Sequence, residues 1–393
     1  LEKLFNHGYH VWFLGAGASV ESHLPLMNGL TARVFDKLES GEISKECDLT
    51  IGELLDSIRN QIGESANIEN ILDHLSDFAS MAYRSNGHVF FPIVKTASSR
   101  ETFKYKRLRY DELMSVRAKI LAEIRESIRW GYVHDDDPSK RRSGQIGQSI
   151  VDVGPQLEFV EALFGGLFAA RERRLRPVEF VTTNYDTLIE DALALYGIPY
   201  VDGFRGGAVG YWDATVYPDP DGTSSGVRAS VTKIHGSIDW ALTEAQRIVR
   251  RRIGDTYPSG DGREVLIYPQ GTKYEFVRRE PFDSLFQRFR AILGRQASQV
   301  LFVCGYAFGD DHVNREFEEA LARPGSQLTM VAFSRYRVDI LKRWGERSFG
   351  ERVYVLTEDG AWCGTEGPYE TGNRNLWRFS EVIKLLQQGG RLA

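Results

Sequence analysis

Short apolar runs recur along the chain, each bounded by glycine or polar residues and separated by stretches with helical spacing. His10-Val-Trp-Phe-Leu14 comes first, followed by Val178-Glu-Phe-Val181, Ser230-Val-Thr-Lys-Ile234, Val300-Leu-Phe-Val-Cys304, Leu328-Thr-Met-Val-Ala-Phe333 and Val353-Tyr-Val-Leu356. Runs of this kind are what strands covered on both faces produce. The pattern predicts an α/β fold, a Rossmann-like parallel sheet with helices on both faces in three layers. Between residues 30 and 148 the rhythm changes. Leu113, Val116, Ile120, Leu121, Ile124 and Ile128 fall on one helical stripe between Tyr110 and Trp130. Gly131 to Gln148, with Asp135 to Asp137, Pro138 and Lys140 to Arg142, reads as a polar connector. We read 30–148 as a mostly helical insertion after the first strand-helix unit, and 1–29 with 149–393 as the sheet-bearing domain. A packed terminal helix is expected over Phe379 to Gln388, and the Gly-, Pro- and Asp-rich stretches Gly203 to Gly226 and Thr256 to Lys273 read as long loops able to cover a pocket.

Composition narrows the function classes. The 393 residues are 42% hydrophobic and 26% charged, which is ordinary for a globular chain. A formal net charge of −5 provides no global basic field, so independent DNA binding is disfavoured. The basic stretches Arg171 to Arg176 and Arg247 to Arg252 read as solvated faces or loops. Cys47, Cys304 and Cys363 are odd in number and far apart, which supports neither a disulfide framework nor a paired-cysteine zinc site and suggests a reducing compartment. No apolar run approaches the roughly 20 residues of a membrane span, so a cytoplasmic protein with no membrane association is the expectation.

Four polar or glycine-rich clusters directly follow apolar runs. Gly15-Ala16-Gly17-Ala18-Ser19 stands between a strand and an expected helix, where glycines let the backbone approach a phosphate and free N–H groups bind it; the competing reading is a plain tight turn. The third glycine of a dinucleotide fingerprint is replaced by Val20. Thr182-Thr183-Asn184-Tyr185-Asp186 precedes the helix expected over Leu188 to Leu195 at the carboxyl end of a strand, and taken alone its residue types are better explained by helix capping. In Lys233-Ile-His235-Gly236, a histidine at a strand end can take a proton near neutral pH. In the fourth cluster, Gly305, Tyr306, Phe308, Gly309, Asp310, Asp311 and His312 lead into a helix; the Asp-Asp-His group admits a metal, yet acids are favoured at a helix start without one. In a parallel sheet all four clusters would lie along one edge and converge on one crevice.

With these clusters in order, the sequence resembles the sirtuin-like NAD⁺-consuming family, and within it the bacterial anti-phage branch. Gly15 to Ser19 resembles the family's Gly-Ala-Gly phosphate loop. Thr182 to Asp186 resembles its Thr-Gln-Asn-x-Asp element with Thr183 in place of Gln, and His235-Gly236 resembles its His-Gly step. Gly305, Tyr306 and Ala307 stand where sirtuins carry a Gly-Thr-Ser that touches the cofactor. Leu266-Ile-Tyr-Pro269 with Lys273-Tyr274, Phe286-x-Arg288-Phe289, and Gly305 to Asn314 are similar to the subunit that pairs with a HerA-type hexameric ATPase in phage defence.

That resemblance implies NAD⁺ as substrate and an NAD⁺ glycohydrolase activity, with Asn184, His235 and Asp186 as catalytic residues. Gly15, Ala16, Gly17, Ala18, Ser19, Thr183, Gly305, Tyr306, Phe308 and Asp311 would bind NAD⁺. Asn184 would orient the nicotinamide ribose and the attacking water, Asp186 would hold the carboxamide or the ribose region, and His235 would be the general base. Three scattered cysteines cannot build the four-cysteine zinc module of the deacylating sirtuins, so no zinc is expected and hydrolysis is favoured over deacylation. The resemblance further implies a ring-like homo-oligomer stacked on the ATPase, with DNA reached only through that partner. A non-catalytic NAD⁺ or ADP-ribose sensing scaffold and a partner-dependent nuclease are the alternative functions.

Overall fold

The computed structural model describes residues 1–393 other than 46, 48, 64, 65, 86, 98, 99, 168–176, 219–225, 244, 246, 253–263, 267–280, 373, 374, 392 and 393. The chain divides into two compact units, one of Leu1–Ser22, Asp152–Val265 and Glu280–Ala393, the other of His23–Val151 and Leu266–Arg279.

The first unit is built on a nine-stranded sheet. Its strands are β1 (His10–Leu14), β2 (Val178–Thr182), β3 (Tyr200–Val201), β4 (Ala229–Lys233), β5 (Gln299–Cys304), β6 (Leu328–Phe333), β7 (Val353–Thr357), β8 (Gly360–Cys363) and β9 (Glu366–Tyr369). The spatial order is β9-β8-β7-β6-β5-β1-β2-β4-β3. Every pair from β7 across to β3 is parallel, while β8 and β9 add on antiparallel. Alternation of side chains sends Trp12, Leu14, Phe180, Val231, Phe302 and Phe333 to one face, where they pack with Phe159, Ile189, Leu193, Phe379 and Leu386. It sends Val11, Phe13, Val181, Leu301, Val303 and Val355 to the other, where they meet Phe286, Phe289, Phe317, Leu341 and Trp344. Helices Gly154–Glu161, Leu188–Leu195 and Phe379–Gln387 supply the first set; Phe282–Leu293, Asp311–Ala322 and Asp339–Gly345 supply the second. Two apolar faces on one sheet require cover on both sides, and three layers result.

From β1 the chain proceeds to β2 and β4 on one side, whereas β5 lies on the other side of β1. The point of reversal, where open α/β sheets leave a crevice beyond the strand ends, is thus between β1 and β5. Segments before and after β4 form a five-stranded sheet, ordered Glu264–Leu266, Gly236–Leu242, Ile248–Arg251, Val209–Trp212, Phe204–Gly206. The stretch from Gly203 read as loop therefore begins as a hairpin, closed by Gly206 pairing Gly210.

The second unit contains helices Met27–Leu38, Ile51–Ile62, Ile68–Arg84 and Tyr110–Trp130 and the paired strands His88–Ala97 and Arg100–Arg109. Leu113, Val116, Ile120, Leu121, Ile124 and Ile128 are all buried, as one stripe of the 21-residue helix requires. Reciprocal caps start two of the helices: Thr50 with Glu53, and Asn67 with Asn70. The residues assigned from sequence to the insertion, 30–148, lie inside this unit. Arg171 to Arg176, residues 267–269 of the Leu266 to Pro269 motif, and Lys273-Tyr274 lie outside the described residues.

Candidate active site

Register brings the four clusters to one edge of the first unit. Leu14 pairs Cys304 on one side and Thr182 on the other, and Thr182 pairs Lys233, so β5, β1, β2 and β4 end level with one another. The segments beyond these ends are stitched together by backbone hydrogen bonds. Gly15 N donates to Cys304 O (2.9 Å), Gly17 N to Gly305 O (2.8 Å), Thr183 N to Leu14 O (3.3 Å), Ile234 N to Thr182 O (3.0 Å) and Ile238 N to Tyr185 O (2.9 Å).

Gly15 and Gly17 both pack against the backbone of Gly305. A Cβ on Gly15 would stand 2.6 Å from Gly305 O, and one on Gly17 2.7 Å from Gly305 Cα. Gly305 itself has φ +68, and a Cβ there would meet Ala18 N at 2.1 Å. Two backbone segments in direct contact leave no room for side chains at the switch point. Gly305→Ala is therefore expected to cost at least about 2 kcal/mol, from left-handed strain plus a backbone clash. Gly309→Ala, with open space around its Cβ position and no left-handed φ, is expected to stay near wild type. Thermal unfolding of the pair checks this, and equal melting temperatures would refute the packing argument.

The Gly15 loop continues as a 3-10 turn, Ala16–Ser22, in place of the α-helix expected there. Buried Gln156 holds it, donating to Ala18 O (2.8 Å) and accepting from Ser22 Oγ (2.6 Å). Inside the loop a relay of side chains forms. Asn184 Nδ2 donates to Gly15 O and to Ser19 Oγ, both at 3.0 Å, and Ser19 Oγ donates to Asp186 Oδ2 (2.9 Å). Asp186 Oδ1 accepts from Leu188 N at 3.1 Å. With both protons of its amide engaged, Asn184 has Oδ1 to offer a hydroxyl or a water as acceptor. Asp186 is turned into the protein and fixes Ser19 and the following helix. Burial pushes its carboxyl up from the usual range, opposed by the Lys233 charge and the Ser19 hydroxyl. The small cavity behind Ser19, Gln156, Thr182, Asn184 and Asp186, about 10 Å³, has room for one water molecule and not for a nucleotide.

His235 is buried just past β4, its Nε2 3.1 Å from Asp310 Oδ2. Asp310 is the N-cap of helix Asp311–Ala322, with Oδ1 accepting from His312 N (2.8 Å) and Val313 N (3.3 Å). Burial alone would raise its carboxyl. The His235 imidazole and the two helix N–H groups outweigh that and hold it at about 2. Tyr306 and Phe308 belong to the apolar core on this face, with Phe13, Phe317 and Trp344 around them. Asp311 is exposed in the first turn of the helix; Ala16, Gly17, Thr183 and Gly305 are partly exposed, and Gly15, Ala18 and Ser19 are buried.

Sequence reasoning passed over three residues that build this site. Lys233 is buried, donates to Asp186 O and lies 3.3 Å from Glu190; a lysine at the end of an otherwise uncharged strand was its signal. Asp310 was legible as a helix cap but not as the partner of His235. Gln156 carried no signal, since nothing in a helix of mixed composition marks one glutamine as an anchor for a distant loop. Among the described residues no three His, Cys, Asp or Glu side chains gather as a metal site, and no helix is long and apolar enough to cross a membrane.

The fold and this edge define a Rossmann-like α/β protein with an amide, an imidazole and a glycine loop at the carboxyl ends of neighbouring parallel strands. Residues 178–352 match the family model of the SIR2-like domain. That stretch contains Asn184, His235 and Asp310; the Gly15 loop precedes it. No curated protein matches the chain. Among solved structures, a Ser-to-Ala mutant of a Sir2 homologue in complex with ADP-ribose aligns over 99% of this chain and 94% of its own, at 12% identity and a TM-score of 0.36. A likeness that distant carries no weight for the site.

Proposed function

We propose that the chain is an NAD⁺ glycohydrolase, cleaving the nicotinamide-ribose bond to nicotinamide and ADP-ribose. One observation carries this reading: Asn184 and His235 stand two residues beyond paired positions at the ends of adjacent parallel strands, in segments hydrogen-bonded to each other. Neighbouring strands are about 4.8 Å apart, a spacing at which an amide and an imidazole can address the same sugar.

In the reaction the C1′–N bond breaks with its electron pair leaving on nicotinamide, through an oxocarbenium-like centre. The oxygen of water bonds to C1′, and the proton it sheds passes to His235. Asn184, anchored through Gly15 and Ser19, orients the ribose or the water through Oδ1, and the Gly15 to Ser19 segment lies where the diphosphate would pass. Asp186 supports Asn184 through Ser19.

The proposal extends, on the sequence resemblance, to anti-phage defence by NAD⁺ depletion beside a HerA-type hexameric ATPase, with this chain as a homo-oligomer. Nicotinamide release from NAD⁺ by the purified chain, alone and with such an ATPase and DNA, tests both levels. Turnover in any of these mixtures supports the hydrolase; saturable NAD⁺ binding with no product in all of them overturns it in favour of a sensing scaffold.

A further inference from the structure

The geometry points to Asp310 as the residue that sets the tautomer of His235, making Nδ1 the ring nitrogen that takes the proton and Nε2 the one that keeps its hydrogen. Its kinetic arm rests on the hydrolase reading above; its spectroscopic arm does not. Nε2 and Oδ2 are 3.1 Å apart, an ion-pair contact and not an aligned hydrogen bond, and both side chains are buried. The carboxylate cannot swing aside, because its other oxygen caps the helix through His312 N and Val313 N. Its backbone is pinned as well: Asp310 N donates to Tyr306 Oη and Asp310 O accepts from it, each at 3.2 Å, while Asn314 Nδ2 donates to Phe308 O at 2.8 Å. An ionised carboxylate only accepts hydrogen bonds. The imidazole nitrogen facing Asp310 must then carry the hydrogen, and the lone pair falls to Nδ1.

Asp310 is thus a positioning residue. When water attacks C1′, its proton moves to Nδ1 while the Nε2 hydrogen stays in place beside the Asp310 carboxylate, whose charge counters that of the imidazolium. The proton later returns to solvent, so the sum is NAD⁺ and water giving ADP-ribose, nicotinamide and one proton.

Asp310→Asn isolates this role from capping, because Asn is as good an N-cap as Asp. Its Oδ1 can still accept from His312 N and Val313 N, while an NH₂ replaces Oδ2 and donates toward Nε2. The ring must then move its hydrogen to Nδ1. Long-range ¹H–¹⁵N spectra of ¹⁵N-histidine-labelled full-length protein at neutral pH read this directly, with the His235 signal assigned by its loss in His235→Gln. We expect the Nε2–H form in the wild type and the Nδ1–H form in Asp310→Asn. The same exchange in a serine-protease triad costs roughly 10⁴ in kcat through the wrong tautomer, so kcat for nicotinamide release should fall roughly 10²- to 10⁴-fold with KM within a few-fold. Asp310→Ala, which loses cap and carboxylate together, should also lower the melting temperature. An Nδ1–H wild type, an unchanged tautomer in Asp310→Asn, or wild-type kcat in that variant overturns the inference. A wild type that keeps the Nε2–H form but releases no nicotinamide would instead remove the hydrolase reading and leave the tautomer assignment standing.

Discussion

His235→Ala and Asn184→Ala are each expected to cut nicotinamide release by roughly 10²- to 10⁴-fold while leaving the fold in place. Loss of a positioned general base typically costs 10²- to 10⁴-fold. Removal of His235 also leaves Asp310 as a buried carboxylate that keeps its two helix N–H donors but has lost its imidazole. The Asn184 variant loses more than one contact. Its Nδ2 is the bridge between Gly15 O and Ser19 Oγ, so when the amide is gone the Gly15 loop keeps only the Ser19 bond to Asp186 as its side-chain tie to the segment after β2. The two variants should therefore differ in kind. His235→Ala should lower kcat with little change in NAD⁺ affinity, whereas Asn184→Ala should weaken NAD⁺ binding as well, because the loop that would receive the diphosphate loses two of its hydrogen bonds. Steady-state kinetics with calorimetric NAD⁺ titration separates these outcomes. Wild-type turnover in both variants would dispose of the assigned roles.

Glu179→Ala is expected to destabilise the sheet-bearing unit by roughly 3–5 kcal/mol, the range for a buried ion pair stripped of one partner. Glu179 is fully buried on β2 and receives two guanidiniums, Arg288 Nη2 at 2.8 Å and Arg295 Nη2 at 2.5 Å, together with the Ser230 hydroxyl of β4. Arg288 also donates to Thr232 Oγ1 (3.3 Å), Ser230 Oγ (3.0 Å) and Pro218 O (3.2 Å), and its guanidinium carbon lies 4.1 Å from the centre of the Tyr217 ring. Without the carboxylate, two buried cations lose the counter-charge they share among the described residues. Glu179→Gln, which keeps shape and one acceptor, should cost less. Pairing Glu179→Leu with Arg288→Met should recover part of the loss, since apolar replacement of a buried pair is often neutral or better. Urea unfolding of the series provides the measurement; a Glu179→Ala midpoint shift worth under 1 kcal/mol would contradict it. The same network explains why a glutamate and an arginine sit within apolar runs: each fills a hydrogen-bonded place at the junction of β2, β4 and helix Phe282–Leu293.

Much of the fold was legible because burial on both faces leaves a dense apolar signature. His10–Leu14, Leu328–Phe333 and helices Leu188–Leu195 and Tyr110–Trp130 end where the pattern places them, and the other runs differ by a residue or two. The edge strands were not legible. Glu366–Tyr369 is exposed along its length and Tyr200–Val201 only half-buried, so neither needs an apolar run. The hairpin Phe204–Trp212 was read as loop because three glycines interrupt its apolar residues, and its second strand is completed by pairing Ile248–Arg251, a partner the local sequence does not show.

For the site, the sequence by itself determined which segments carry chemistry: strand ends followed by glycine, amide, hydroxyl and imidazole, in an order that strand topology can gather. It could not determine what each group touches. Gly15 and Gly17 were legible as glycines required by a close approach, but only the tertiary structure makes the backbone of Gly305 the approaching group. Asp310 and His235 lie on separate segments, and their 3.1 Å contact depends on β4 and β5 ending level across β1 and β2. Local pattern encodes which residues must be buried or capped, because those costs are paid within a few residues of the chain. Contacts between strand ends depend on register, and register is set by the packing of the whole sheet.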